Sequence, residues 1–140
     1  MREIKFRAWD NREGLNKMYW GVSFIPYGEG WHGGNPEYKY YQVYHGNGGF
    51  FFTNMGDIVL MQFTGLYDKN NQPIYEGDIV IVENSDNGDN DVTTICKWDN
   101  GCFVLEDLAG GHWTRQLFHQ PHRLSIAGNQ YQNPELIHQP

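Results

Sequence analysis

The stretch Val92-Thr-Thr-Ile-Cys-Lys-Trp-Asp-Asn-Gly-Cys-Phe-Val-Leu-Glu-Asp-Leu108 reads as two strands folded back on one another. Val92 to Trp98 is an apolar, β-branched run. Asp99-Asn100-Gly101 is a tight-turn signal, and Phe103 to Leu108 is the returning strand. Upstream, Asp78 to Glu83 is a second β-branched run, joined to the hairpin by the polar loop Asn84 to Asp91. Downstream, Trp113 to Phe118 and Leu124 to Ala127 complete a strand-rich half. Gln132-Asn-Pro-Glu-Leu136 offers a short terminal helical turn, with Asn133 as cap and Pro134 in the first helical position.

The first half follows the same rules less regularly. Ile4, Phe6 and Ala8 alternate with Lys5, Arg7 and Trp9, the period of a half-buried strand. Asn11-Arg12-Glu13-Gly14 is a turn, and Met18-Tyr19-Trp20 begins a partner strand. Tyr27 to Pro36 holds four glycines and a proline, which makes it a loop. Tyr38 to Tyr44 is rich in tyrosine and ends at the glycine-rich break His45 to Gly49. Phe50 to Phe52 and Ile58 to Phe63 are further strands, and Tyr67 to Asn71 is a turn. No window carries a sustained 3.6-residue apolar stripe. The expected fold is mostly β, with antiparallel strands curled into one or two small barrel-like lobes and little helix. It forms a single domain over 1–140, with lobes of about 1–60 and 61–140. Gly56-Asp-Ile-Val59 recurs as Gly77-Asp-Ile-Val80; with flanks that do not match, this reads as two strands entered through similar Gly-Asp turns.

Nine Tyr, eight Phe and five Trp in 140 residues are too much apolar surface for a disordered chain. The charged start Met1 to Lys5 precedes no apolar run, so neither a signal peptide nor a membrane helix is expected. Cys96 and Cys102 are then expected reduced, and the location cytoplasmic. The formal net charge of −7 disfavours nucleic acid as a partner. Its distribution is uneven, because residues 1–17 are net +2 while Asp68 to Asp107 is net −8. Such polarity serves solubility, steers a basic partner, or pairs one subunit's basic end with another's acidic face.

Three blocks carry a resemblance. The opening Met1-Arg-Glu-Ile-Lys-Phe-Arg-Ala-Trp-Asp10 is one. The central Leu60-Met-Gln-Phe-Thr-Gly-Leu-Tyr-Asp-Lys-Asn70, followed by Ile74-Tyr-Glu-Gly-Asp-Ile-Val80, is the most specific. The closing Ile126-Ala-Gly-Asn-Gln-Tyr-Gln-Asn-Pro-Glu-Leu136 is the third. In this order they resemble the YopX family of phage and prophage proteins, from the first residue almost to the last. The aromatic-rich stretch of about 15–55 has no matching block. The resemblance implies a small, mostly-β phage or prophage protein, and it implies neither an activity nor catalytic residues.

Candidate chemistry therefore rests on the residues alone. Glu76 and Asp78 share one face if both lie on a strand, as an acid–base pair or metal ligands would; the simpler reading is a strand entry in which Asp78 bonds back to backbone amides. Asp86 to Asp91 fails the calcium-loop template, since the sixth position is Asp91 and the twelfth Lys97. His112, His119 and His122 lack matching thiols, because Cys96 and Cys102 fall at best diagonally across a hairpin. The glycine-rich segments lack phosphate-loop spacing, and none of Ser23, Ser85 and Ser125 sits in a nucleophile elbow. No cofactor, metal or catalytic residue is expected. The aromatics fill a core or anchor an interface, and the candidate binding residues are Trp9, Trp20, Trp31, Tyr40, Tyr75, Glu76, Asp78 and Trp98. The leading expectation is a phage or prophage accessory module that binds a protein or self-assembles. A nucleic-acid-associated protein using the basic N-terminal strand, and a metal-dependent hydrolase, are the alternatives.

Overall fold

Asn100 and Gly101 both have positive φ, 50° and 84°, in a two-residue turn that sets Asp99 opposite Cys102. Asn tolerates this region and Gly occupies it without strain, which matches the turn to the right-handed twist of its strands. The hairpin belongs to a computed structural model that describes residues 3–12, 15–29, 39–46, 48–54, 57–83, 91–109, 114–116 and 121–137. Side chains at 24–29, 39–42, 50, 52–54 and 114–116 are excepted.

The described strands are β1 (Phe6–Asp10), β2 (Lys17–Trp20), β3 (Ser23–Glu29), β4 (Lys39–His45), β5 (Gly49–Asn54), β6 (Ile58–Tyr67), β7 (Pro73–Tyr75), β8 (Asp78–Val82), β9 (Val92–Asp99), β10 (Cys102–Asp107), β11 (Thr114–Gln116) and β12 (Leu124–Asn129). Every pairing among them is antiparallel. Short 3-10 turns occupy Pro121–Arg123 and Pro134–Leu136. The protein is mostly β, and one of its sheets curls into a half-barrel. The chain divides into two compact units, Ile4–Gln62 and Met1–Glu3 with Phe63–Pro140.

In the first unit β1 lies between β2 and β6, with Ala8 opposite both Tyr19 and Leu60. The alternating pattern suggested a half-buried strand starting at Ile4. The strand instead starts at Phe6, and Arg7 to Asp10 are all buried, so residues on both of its faces are covered. Its polar residues are accommodated accordingly. Arg7, 2% exposed, sits with its guanidinium carbon 5.2 Å from the Trp20 ring centroid. Asp10, 0% exposed, accepts two hydrogen bonds from Arg12 Nε, at 3.0 and 3.2 Å, and one from Arg12 Nη2 at 2.7 Å. The Arg12 backbone N–H donates to the same carboxylate at 3.0 Å. Arg12 also lies over the Phe51 ring, 4.8 Å from its centroid. Around this frame Ala8, Tyr19, Val22, Val43 and Ile58 form the core, with Phe51 against it. A second sheet, β3-β4-β5, completes the unit. The expected loop from Tyr27 is shorter at its start: Tyr27 to Glu29 belong to β3, across a register shift after Pro26, and 30–36 lie outside the described residues.

The second unit takes the end of β6, paired with β7, and a five-stranded sheet in the order β11-β10-β9-β8-β12. Its core is Ile74, Val80, Val82, Cys96, Phe103, Leu105 and Leu124. Thr94, fully buried, donates its hydroxyl to Val80 O at 2.7 Å, so even the polar residue of β9's inner face is satisfied. Cys96 is buried opposite Leu105, while half-buried Cys102 donates its thiol to Asp99 O at 3.4 Å; neither forms a disulfide. Pro134 begins the terminal turn as expected. Asn133, however, does not cap it through its side chain; its Oδ1 accepts the Asn129 N–H at 3.2 Å instead.

Two outcomes test this packing. Burial by itself would raise the Asp10 pKa, but the hydrogen bonds and charge of Arg12 outweigh it and hold the carboxyl below its ordinary value. Its stabilisation is therefore complete above the unfolded-state pKa and disappears as pH falls through the lower folded value. Asp10→Asn should lose about 2 kcal/mol at neutral pH, and urea titrations should show the gap to wild type closing on acidification. In Gly128→Ala the new Cβ would collide with Asn133 Oδ1. This variant should lose about 1–3 kcal/mol by the same measurement.

Candidate functional site

The turn after β6 begins at Asp68, an Asx-type turn starter. Asp68 Oδ1 accepts the N–H groups of Asn70 and Gln72, both at 2.9 Å. Its Oδ2 accepts the N–H of Ile126 at 3.0 Å, from a strand 58 residues further along the chain. Beside it, Lys69 N donates to Leu124 O at 2.9 Å, so the turn is fastened to β12 by backbone as well as side chain. One buried carboxylate thus satisfies three amides.

The next turn, between β7 and β8, repeats the device. Asp78, 2% exposed, accepts the Tyr75 N–H through Oδ2 at 2.8 Å. Between them Gly77 donates to Cys96 O and accepts from Gln130 N, each at 2.9 Å. Asn129, opposite Asp78 in the ladder, does the same for the C-terminal segment. Its Oδ1 accepts from Tyr131 N at 3.1 Å and Gln132 N at 2.9 Å, and its Nδ2 donates to Gln132 Oε1 at 2.7 Å. The polar residues of the central and closing blocks therefore meet along β8 and β12, and their lone pairs go to backbone amides.

This arrangement separates the candidate residues. Glu76, half-buried, is in the turn rather than on a strand, so it does not share a strand face with Asp78. Tyr75 is buried, its ring 5.6 Å from that of Phe63. Trp9 is buried in β1. Among the described candidate indoles, Trp20, 44% exposed, and Trp98, 51% exposed, reach solvent. Trp20 covers Arg7. Trp98 stands opposite Phe103, the rings edge to face at 4.8 Å, while its neighbour Lys97 pairs with Glu106 at 3.0 Å from the other face of the strand. Tyr40 pairs with Asn54 in β4, with its side chain outside the described set, and Trp31, His112, His119 and the loop Asn84 to Asn90 lie outside the described residues. His122 is exposed in its 3-10 turn. Among the described residues, no three His, Cys, Asp or Glu side chains group to hold a metal ion. The two Gly-Asp-Ile-Val segments enter β6 and β8, but Asp57 is exposed where Asp78 is buried.

A family model described as YopX protein matches residues 5–138. The chain belongs to the YopX family. The match runs through the aromatic-rich 15–55 stretch as well as the three blocks. Two solved structures share the fold. Protein EF1440 from Enterococcus faecalis is 24% identical, with a TM-score of 0.61 over 98% of this chain and 99% of that one. Protein yopX from Bacillus subtilis is 18% identical, with a TM-score of 0.61 over 97% and 98%. No curated protein matches the chain. Within this YopX-family chain, no helix among the described residues is long and apolar enough to cross a membrane.

Sequence reasoning placed Asp78 correctly in a strand-entry turn and overlooked Asp68, Asn129 and Asp10. Asp68 and Asn129 had a signal, since each opens a run of turn-forming residues inside a family block. Nothing local announces that Asp68 also reaches Ile126.

If these acids are structural, their loss should show in stability. Asp68→Ala should cost roughly 3 kcal/mol or more in urea denaturation, since three amides lose one charged acceptor. Asp68→Asn, which keeps one acceptor oxygen, should cost less. Equal effects for the two variants would count against the carboxylate as the fastening group.

Proposed function

We propose that this YopX-family chain is a phage or prophage accessory protein that works by binding a protein, either a host partner or another copy of itself, in the cytoplasm of the bacterial host cell. The observation that carries this reading is the contrast between its aromatics and its acids. Trp20 and Trp98 are held at the surface by Arg7 and Phe103, with large, pre-ordered apolar faces towards solvent. Indoles positioned in this way make interface anchors, because they bury much area for little loss of side-chain freedom. Asp68 and Asp78, in contrast, are occupied with backbone amides. Nucleic-acid binding through the N-terminal strand draws little support from Arg7 and Trp9, since both are buried.

A tagged full-length protein recovered from phage-infected cells, with and without nuclease, tests the proposal. A stoichiometric protein partner, or untagged copies of the chain, should co-elute and resist digestion, and Trp98→Ala or Trp20→Ala should weaken the recovery at least tenfold. Co-elution of nucleic acid, with proteins lost on digestion, would overturn the proposal.

A further inference from the structure

The described asparagines differ in what restrains the backbone N–H that follows each of them. After Asn11, the Arg12 N–H donates to Asp10 Oδ1 at 3.0 Å. After Asn70 and Asn71, the next N–H groups donate to Asp68 O at 3.0 Å and to Asp68 Oδ1 at 2.9 Å. After Asn129, the Gln130 N–H donates to Gly77 O at 2.9 Å. Asn133 precedes Pro134, which has no N–H, and Asn16 precedes Lys17, a residue with a long side chain. Asn100 is different. It and Gly101 are exposed at the tip of the β9–β10 hairpin. Among the described residues, neither the Asn100 carboxamide nor the Gly101 N–H makes a hydrogen bond. A Cβ placed on Gly101 would meet nothing within 4 Å, so the approach to this residue is open.

An unrestrained amide nitrogen next to an asparagine carboxamide is a reactive pair. We propose that Asn100–Gly101 is a self-modifying site, which deamidates in water without an enzyme and, in its isoaspartyl form, loses the turn that holds β9 against β10. The Gly101 nitrogen attacks Asn100 Cγ. The N–Cγ bond forms, the Cγ–Nδ2 bond breaks, and ammonia leaves with the proton given up by Gly101, closing a succinimide ring. Water then adds to one ring carbonyl and breaks its bond to the Gly101 nitrogen. Opening at Cγ leaves Asp at position 100. Opening at the backbone carbonyl carbon leaves an isoaspartyl link, in which the main chain runs through Cβ and Cγ. The two-residue turn, with φ of 50° and 84°, sets Asp99 opposite Cys102 and Trp98 opposite Phe103. A main chain one atom longer no longer fits that turn, so the isoaspartyl form loosens the hairpin that presents Trp98. The Asp form keeps the main chain, tolerates the same φ and adds a negative charge beside exposed Asp99.

Ageing the folded full chain at physiological temperature, in neutral and in mildly alkaline buffer, tests this by peptide mapping. Trypsin cuts after Lys97 and Arg115 and releases residues 98–115, in which Asn100 is the single asparagine. An unaged sample digested in the same way is the baseline. Two new forms of this peptide should grow with time, equal in mass and heavier by the change from amide to acid. One of them should be a substrate for an isoaspartyl methyltransferase, and both should form faster in the alkaline buffer. A peptide that stays unchanged would overturn the proposal, and so would an Asp form with no isoaspartyl partner. The aged wild type should also show a lower urea midpoint. Asn100→Gly, which accepts positive φ and cannot form the succinimide, should lose less in the same ageing. Asn47-Gly48 and Asn87-Gly88, whose asparagines lie outside the described residues, are present in both chains and cancel in that comparison. Equal losses would overturn the loosening of the hairpin. The peptide map needs no variant, so it decides the modification even if Asn100→Gly fails to fold.

Discussion

The second unit depends on a single carboxylate. Asp68 is the common acceptor for the turn that reverses the chain after β6 and for an amide of β12. Buried amides without acceptors each carry a desolvation penalty of about 1–3 kcal/mol, so three of them on one side chain make that residue hard to replace. The adjacent Lys69–Leu124 backbone bond and the Gly77–Gln130 bond extend the same fastening along β8 and β12. Sequence blocks that look like candidate chemistry, with their Asp, Glu and Asn, are in this setting devices for closing a small β sheet. The physics of a short chain explains the choice. Tight turns expose many amides, and short polar side chains satisfy them with little added entropy cost.

The first unit solves a related problem in a different way. In β1, Arg7 to Asp10 are buried on both faces, so its charged residues have no solvent face. Arg7 is therefore covered by an indole, and Asp10 is neutralised by a guanidinium two residues away. The arrangement turns Arg7 inward and leaves Trp20 partly at the surface. An N-terminal segment that reads as a basic patch in the sequence is, once folded, partly an aromatic surface.

Much of the architecture was legible from local patterns. The hairpin around Asn100-Gly101, the β-branched runs of β8 and β9 and the turn at Asp78 follow from residue preferences within a few positions. Errors came where distant neighbours decide. The N-terminal alternation gave the right strand but the wrong exposure, because alternation reports the period and not what packs over each face. Tyr27 to Glu29 were drawn into β3 against their glycine and proline signals by pairing with β4. Asn133 had the right identity for a cap, yet Asn129 competes for its oxygen. Among the candidate site residues, Trp9 and Tyr75 could not be told from Trp20 and Trp98 by type. Burial separates them, and burial is set by what packs over each residue's face from elsewhere in the chain.

That sheet order also constrains how the chain matures. β8 lies between β9 and β12, and β12 begins at Leu124, long after β8 has ended at Val82. At 5–20 residues per second, β8 leaves the ribosome on the order of a few seconds before its outer partner exists. During that interval Ile79 to Val82 present an open, apolar ladder edge, the kind of template on which unrelated chains pair. The nascent protein thus passes through a window of vulnerability that only its last strand closes, and a premature stop before Leu124 would make that window permanent.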